Sequence, residues 1–290
     1  MGPGMTRYFH RSTWLTRLLG GLIFCVLMGL ALPLSAQPSL SDLPYGSDPK
    51  QRLDVYLPDS PDNAPLIVMV HGGGWRFGDK SNEPVWRNKV AHWTALGAVV
   101  VSVNYRLLPQ AGPLEQAQDV ARALAYIQTK APQWGAHPQK LVLMGHSAGG
   151  HLVSLLSADP SLAWDLGAHI WLATVSLDSA VLDTQKIMAH RPSKLYAQAF
   201  GADPAYWEQV SPIARLQPTA PPMLLVCSSR RARPCPQAQS FANRLTSLGG
   251  SARILPINMS HRSINEAIGL HPAYTAELDA FLRDAGLWDS

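Results

Sequence analysis

The chain has 290 residues, 47% hydrophobic and 15% charged, with a formal net charge of +4. This is a globular composition, long enough for one sizeable α/β domain, and it excludes repeats and low-complexity tracts as the organising feature. The charge is local. Residues 1–36 hold Arg7, Arg11 and Arg17 but no acid, and without them 21 Lys and Arg face 20 acids, a net of about +1. Nothing in that balance calls for a nucleic-acid partner.

Residues 18–34 are apolar, and Leu34-Ser35-Ala36 ends in a small residue. The segment resembles a secretory signal peptide cleaved after Ala36, which implies export to the periplasm or beyond. Leu34 is not ideal three positions before the cut, so an uncleaved membrane anchor at 18–34 is the other reading. Cys25 follows Phe24, where a lipoprotein site wants a small residue. The remaining cysteines, Cys227 and Cys235, suggest a disulfide in an oxidising compartment, with two free thiols as the alternative.

From 37 the chain begins with a polar, proline-containing lead-in to 50. Apolar or alternating runs predict strands at 52–57, 65–70, 98–104, 140–144, 168–177, 222–227 and 252–256. Helical spacing predicts helices at 85–96, 114–129, 148–157, 240–248 and 272–285. Buried strands alternating with helices imply a mostly parallel sheet covered on both faces. Residues 184–215 interrupt the alternation and read as a small helical insertion over the sheet's C-terminal edge, where α/β sheets bind ligands. Its Tyr196, Phe200, Tyr206 and Trp207 suggest either an apolar acyl or aryl pocket or packing onto the sheet.

Two motifs carry chemistry. GHSAGG, at 145–150, follows the strand at 140–144 and opens a helix. That context fits a nucleophile elbow, a turn so tight that residues two away from Ser147 must be small, as Gly145 and Gly149 are. HGGGW, at 71–75, follows the strand at 65–70. Three glycines cost backbone entropy and make sense where N–H groups must approach a developing negative oxygen.

HGGGW plus GHSAGG resembles the α/β-hydrolase fold, in its esterase/lipase branch that includes hormone-sensitive-lipase-like carboxylesterases. GDK at 78–80, SVNYRL at 102–107, the helix with Asp119, and Trp134-Gly135 extend the resemblance over about residues 50–285. The resemblance implies a mostly parallel central sheet with helices on both faces, the 184–215 segment being a small cap-like insertion after the sixth strand. It also implies Ser147 as nucleophile and Gly73, Gly74 and Ala148 as the oxyanion hole.

A serine needs a base within hydrogen-bond reach. His261, after the last strand, stands where the resemblance places the histidine; His271 is the other late candidate. His71, His146 and His151 read as structural or substrate-contacting. The acid departs from the pattern. Its usual loop here reads SSRRARPCPQ, and no Asp or Glu occurs between Glu208 and Glu266. Three readings remain: an acid moved to the preceding strand end, at Asp178 or else Asp183; a Ser–His dyad; or a degenerate, non-catalytic relative. Asp178 has a bland reading as a helix cap. Arg230, Arg231 and Arg233 would suit a substrate carboxylate, or form a solvated loop.

The expected function is an exported serine hydrolase acting on small-molecule carboxylic esters, with neither cofactor nor metal, because no His/Cys/Asp cluster has ligand spacing. An arylformamide or amide hydrolase of the same fold and a non-catalytic binding domain are the alternatives.

Overall fold

The computed structural model describes residues 1, 2 and 37–288. The chain divides into two units, Met1–Leu34 and Ser35–Ser290, and the sheet with its helices belongs to the second. The predicted leader and the 18–34 stretch lie outside the described residues.

Eight strands form one sheet: β1 (Leu40–Pro44), β2 (Arg52–Tyr56), β3 (Ala64–Val70), β4 (Val99–Val103), β5 (Ala136–His146), β6 (Ala173–Leu177), β7 (Met223–Ser228) and β8 (Ala252–Ile257). Their order across the sheet is β1-β2-β4-β3-β5-β6-β7-β8. β1 and β2 pair antiparallel, β2 joins β4 antiparallel, and every later pairing is parallel.

The α-helices among the described residues are α1 (Glu83–Ala95), α2 (Pro113–Lys130), α3 (Ala148–Ala158), α4 (Ser161–Trp164), α5 (Thr184–Met188), α6 (Lys194–Phe200), α7 (Pro204–Gln209), α8 (Pro212–Arg215), α9 (Pro234–Ser247), α10 (His261–Glu266) and α11 (Pro272–Asp284). The period-2 alternation of the strands decides which helix covers which face. Leu66, Val68 and Val70 of β3 join Val99 and Val101 of β4 in one cluster with Leu124 of α2 and Leu152 of α3. Ile67, Met69 and Val100 point the other way, to Trp93 of α1 and Leu278 of α11. α9 extends the first face, packing Phe241 and Leu245 on Met223 and Leu225 of β7.

Several elements differ from expectation: β5 starts at Ala136, earlier than read, and α10 is not among the predicted helices. β1 lies inside the polar lead-in; it is an edge strand with a register irregularity between Leu40 and Leu43, which hides its alternation. β6 starts at Ala173, later than read. α4 precedes it. α9 starts at Pro234, because Pro234 and Pro236 occupy a first turn whose N–H groups need no helical partner.

Register sets the site. Val70 pairs with Gly145, and His146 pairs with Leu177. The glycine loop after β3, the serine after β5 and Asp178 after β6 therefore leave the same edge of the sheet side by side.

Candidate active site

Ser147 takes φ 57° and ψ −116° between β5 and α3, a backbone region that costs a non-glycine residue roughly 1–3 kcal/mol. Its N–H donates to Leu177 O at 2.9 Å. A Cβ on Gly145 would stand 2.3 Å from Gly149 O, and one on Gly149 would stand 2.3 Å from Val70 O. Only glycine lets the turn press against the end of β3.

His261 is the first residue of α10, capped by Ser260 Oγ, which accepts the Ser263 N–H. Its Nε2 lies 2.9 Å from Ser147 Oγ, and its Nδ1 lies 2.6 Å from Asp178 Oδ2. His146 Nε2–H donates to His261 O at 2.9 Å, and the two rings sit 4.5 Å apart. Burial, with His261 beside it, pushes His146 down to about 3, so this ring is neutral at neutral pH. Its carbonyl bond anchors the start of α10.

Asp178 is fully buried. Oδ1 accepts the Ser228 N–H at 2.8 Å; Oδ2 accepts from Arg231 Nη1 at 2.5 Å as well as from His261. Burial alone would raise this carboxyl, but the bonds from His261, Ser228 and Arg231 outweigh it and hold the group below the ordinary carboxylate value. Asp178 caps no helix. Asp183 does: it accepts the Lys186 N–H at the start of α5. His271 caps α11 in the same way, accepting from Tyr274. Neither meets Ser147.

The glycine loop is held from outside. Tyr105 Oη donates to His71 O at 2.8 Å, Gln116 Nε2 to Trp75 O at 2.8 Å, and Phe77 N to Gly73 O at 2.9 Å. Gly73 has φ +124°, and a Cβ there would meet Phe77 O at 2.0 Å. Among the described residues nothing accepts the N–H of Gly73, Gly74 or Ala148. Gly73, Gly74, Ser147 and His261 line a cleft of about 620 Å³.

The other residues singled out by sequence have structural partners. His151 Nε2 bonds Val210 O, and Asp119 is buried against Arg106 and Arg122. Asn104, within SVNYRL, accepts Lys80 N and donates to Asp79, tying GDK to the end of β4. The insertion's aromatics pack rather than line the cleft. Phe200 is buried 4.9 Å from the Trp75 ring, and Trp207 Nε1 donates to Phe200 O. Tyr196 stands against Trp75, and Tyr206 Oη accepts from Leu114 N. Of the loop arginines, Arg230 donates to Asn258 Oδ1 and Arg231 holds Asp178, while Arg233 lines a separate cleft with Lys186 and His190. Cys227 and Cys235 are bonded.

Solved structures match this fold over most of the chain. A truncated carbohydrate esterase from gut microbiota superposes with a TM-score of 0.72, covering 87% of this chain and 97% of that one at 19% identity. The chain belongs to the α/β-hydrolase fold. Within it, residues 53–164 match the BD-FAE family model. The isoprenylcysteine alpha-carbonyl methylesterase ICME of Arabidopsis thaliana is 26% identical over 273 residues, 83% of this chain and 62% of that protein. The kynurenine formamidase of Danio rerio is 33% identical over 157 residues, 53% of this chain and 50% of that protein. The chain thus spans about half to three-fifths of the length of these relatives.

Sequence reasoning missed that Arg231 acts on His261 through Asp178. Arg231 did have a signal, since it stands in the loop that lacks the expected acid. His146 was read as structural or substrate-contacting, and its bond to His261 O is of the structural kind.

Proposed function

We propose that this chain is an exported serine hydrolase that cleaves small-molecule carboxylic esters through an acyl-serine intermediate. The observation that carries this is the chain of contacts from Asp178 Oδ2 to His261 Nδ1 and from His261 Nε2 to Ser147 Oγ, facing unpaired N–H groups. His261 Nε2 takes the Ser147 proton as Oγ attacks the ester carbonyl. The carbonyl oxygen becomes an anion and accepts from Gly73, Gly74 and Ala148. Collapse breaks the bond to the alcohol, which leaves with the proton from Nε2. Water then repeats the sequence on the acyl-serine and releases the acid. Asp178 keeps the proton on Nδ1, so that Nε2 is free to act as base. Each oxyanion donor contributes on the order of 10²–10³-fold in rate.

A non-catalytic binding domain does not suit a strained serine with both partners in reach. An arylformamide substrate does retain support, from the likeness to the kynurenine formamidase. Export draws support from the leader-like residues 1–36 and from the Cys227–Cys235 bond, which persists in oxidising compartments.

The test is hydrolysis of p-nitrophenyl acetate, p-nitrophenyl butyrate and N-formylkynurenine by the full chain beside Ser147→Ala. Ester turnover that falls on the order of 10³-fold or more in Ser147→Ala supports the reading. A clear preference for the formamide moves it to amides, and no Ser147-dependent turnover of any of the three refutes it. N-terminal sequencing of the mature protein tests export: Gln37 as first residue supports cleavage, whereas an intact leader in the membrane fraction supports an anchor.

A further inference from the structure

β7 lies between β6 and β8 in the sheet, so the loop after β7 lies between Asp178, which leaves β6, and His261, which follows β8. Arg231 comes from that loop. Its Nη1 donates to Asp178 Oδ2 at 2.5 Å and to Asp178 O at 3.3 Å, and it lies 2.8 Å from His261 Nδ1. The same loop supplies the Ser228 N–H to Oδ1. Asp178 therefore faces three donors, two of them from the loop that lacks an acid of its own.

The donors in this group have a geometric consequence. A carboxylate gripped at both oxygens has one orientation to offer the imidazole. When Nδ1 carries the proton, Nη1 and Nδ1 are both donors and cannot bond each other. Both therefore donate to Asp178 Oδ2, and the carboxylate is held between them.

We propose that Arg231 is a positioning residue that fixes the Asp178 carboxylate toward His261, so that the acid meets Nδ1 in one geometry. The proposal rests on the hydrolase reading above. Other charged or titratable groups around His261 and Asp178 do not touch Nδ1. His146 stacks on the ring and bonds His261 O. Lys89 of α1 is buried and bonds Val85 O, Asn265 O and Asn265 Oδ1. Arg262 pairs with Glu266 along α10. Tyr274 of α11 donates to Ile264 O.

The test is kcat and KM on p-nitrophenyl acetate for wild type, Arg231→Met and Arg231→Lys, each with and without Asp178→Asn. Expected for Arg231→Met is a kcat lower by on the order of tenfold with KM within about twofold. Arg231→Lys keeps a donor for Asp178 and recovers part of the loss, and in the Asp178→Asn background Arg231→Met costs little more. The low-field NMR resonance of the His261 Nδ1 proton in Ser147→Ala reports the contact with Asp178 without turnover, and it is expected to shift or broaden with Arg231→Met. If circular dichroism shows Arg231→Met unfolded, Arg231→Gln takes its place.

A kcat within about twofold of wild type and an unchanged Nδ1 proton resonance in the neutral variant overturn the proposal. An equal loss from Arg231→Met with and without Asp178→Asn reduces Arg231 to a packing role and also overturns it. A wild type that hydrolyses no ester, with a resonance that still shifts in the variant, refutes the hydrolase reading and leaves the positioning of Asp178 by Arg231 standing.

Discussion

Asp178 Oδ2 lies 2.6 Å from His261 Nδ1, although 83 residues separate them. The contact spans β7, which stands between the strands that deliver the two residues. Asp178 leaves β6 with φ 52°, a turn that aims the carboxylate across the end of β7 instead of along its own strand. The acid thus reaches the histidine from one strand further away than the loop where the resemblance places it.

Replacing Asp178 by Asn removes the charge that holds the proton on Nδ1, and the amide can present its NH₂ to the ring and reverse the tautomer. Expected is a kcat lower by on the order of 10³–10⁴-fold on p-nitrophenyl acetate. Asp183→Asn is the control. It alters a cap at the start of α5, so stability drops by about 1 kcal/mol or less and kcat stays within about twofold. Equal losses in both variants would argue against Asp178 as the acid.

The elbow glycines make a second prediction. Gly149→Ala puts a methyl 2.3 Å from Val70 O and 2.5 Å from His71 O. Backbone must move there, at about 1–3 kcal/mol of stability, and the movement separates the glycine loop from Ser147. Gly97→Ala is the contrast, with φ +83° but open space around it. It should cost about 1 kcal/mol in backbone strain and leave kcat alone. Urea midpoints and kcat measured on both variants check the pair; unimpaired turnover in Gly149→Ala would contradict the packing argument.

Much of this site was legible because its signals are local. GHSAGG and HGGGW each follow an apolar strand, and the chemistry of a tight turn or an N–H cradle restricts which residues can stand there. His261 was legible from its place after the last strand. The acid was less so, because only the strand order shows that the ends of β6 and β8 converge around the β7 loop. Arg231 was read as suited to a substrate carboxylate or as part of a solvated loop, whereas the carboxylate that it meets is the protein's own. The insertion's aromatics left a pocket and packing equally open, and Phe200 packs against Trp75 and His151. Composition cannot separate a lining ring from a packing ring.

Buried histidines set a pH dependence of stability. His151 Nδ1 accepts from Trp75 Nε1 at 3.3 Å and its Nε2–H donates to Val210 O at 2.8 Å, so the ring is satisfied only when neutral. Burial pushes His151 down to about 4 and His146 to about 3. Both lie below the ordinary value of 6.5, so the unfolded chain takes up these protons first. Stability from this source is complete above about pH 6.5 and declines by a few kcal/mol as pH falls toward 4. Asp79, held at about 2, and Asp178 act in a lower window, and their contribution is lost only as pH falls below about 4. Urea unfolding from pH 7 to pH 4 should show the decline, flattened by about one proton in His151→Gln. A pH-independent unfolding free energy across that range would count against neutral buried rings.

The Cys227–Cys235 bond ties the end of β7 to the first turn of α9, closing the loop that carries Ser228 and Arg231. Its sequence separation is 8, for which chain entropy gives about 2–3 kcal/mol of stabilisation. The bond also has a local consequence. Asp178 takes two of its three donors from this short loop, so loosening the loop loosens the acid. Cys227→Ser with Cys235→Ser is expected to lower the urea midpoint and to reduce kcat several-fold, less than Asp178→Asn does. Dithiothreitol should do the same to the wild type and nothing to the double variant. If stability falls while kcat holds, the contacts of Arg231 and Ser228 with Asp178 are enough to keep the loop in place. The disulfide would then protect the fold without supporting the histidine.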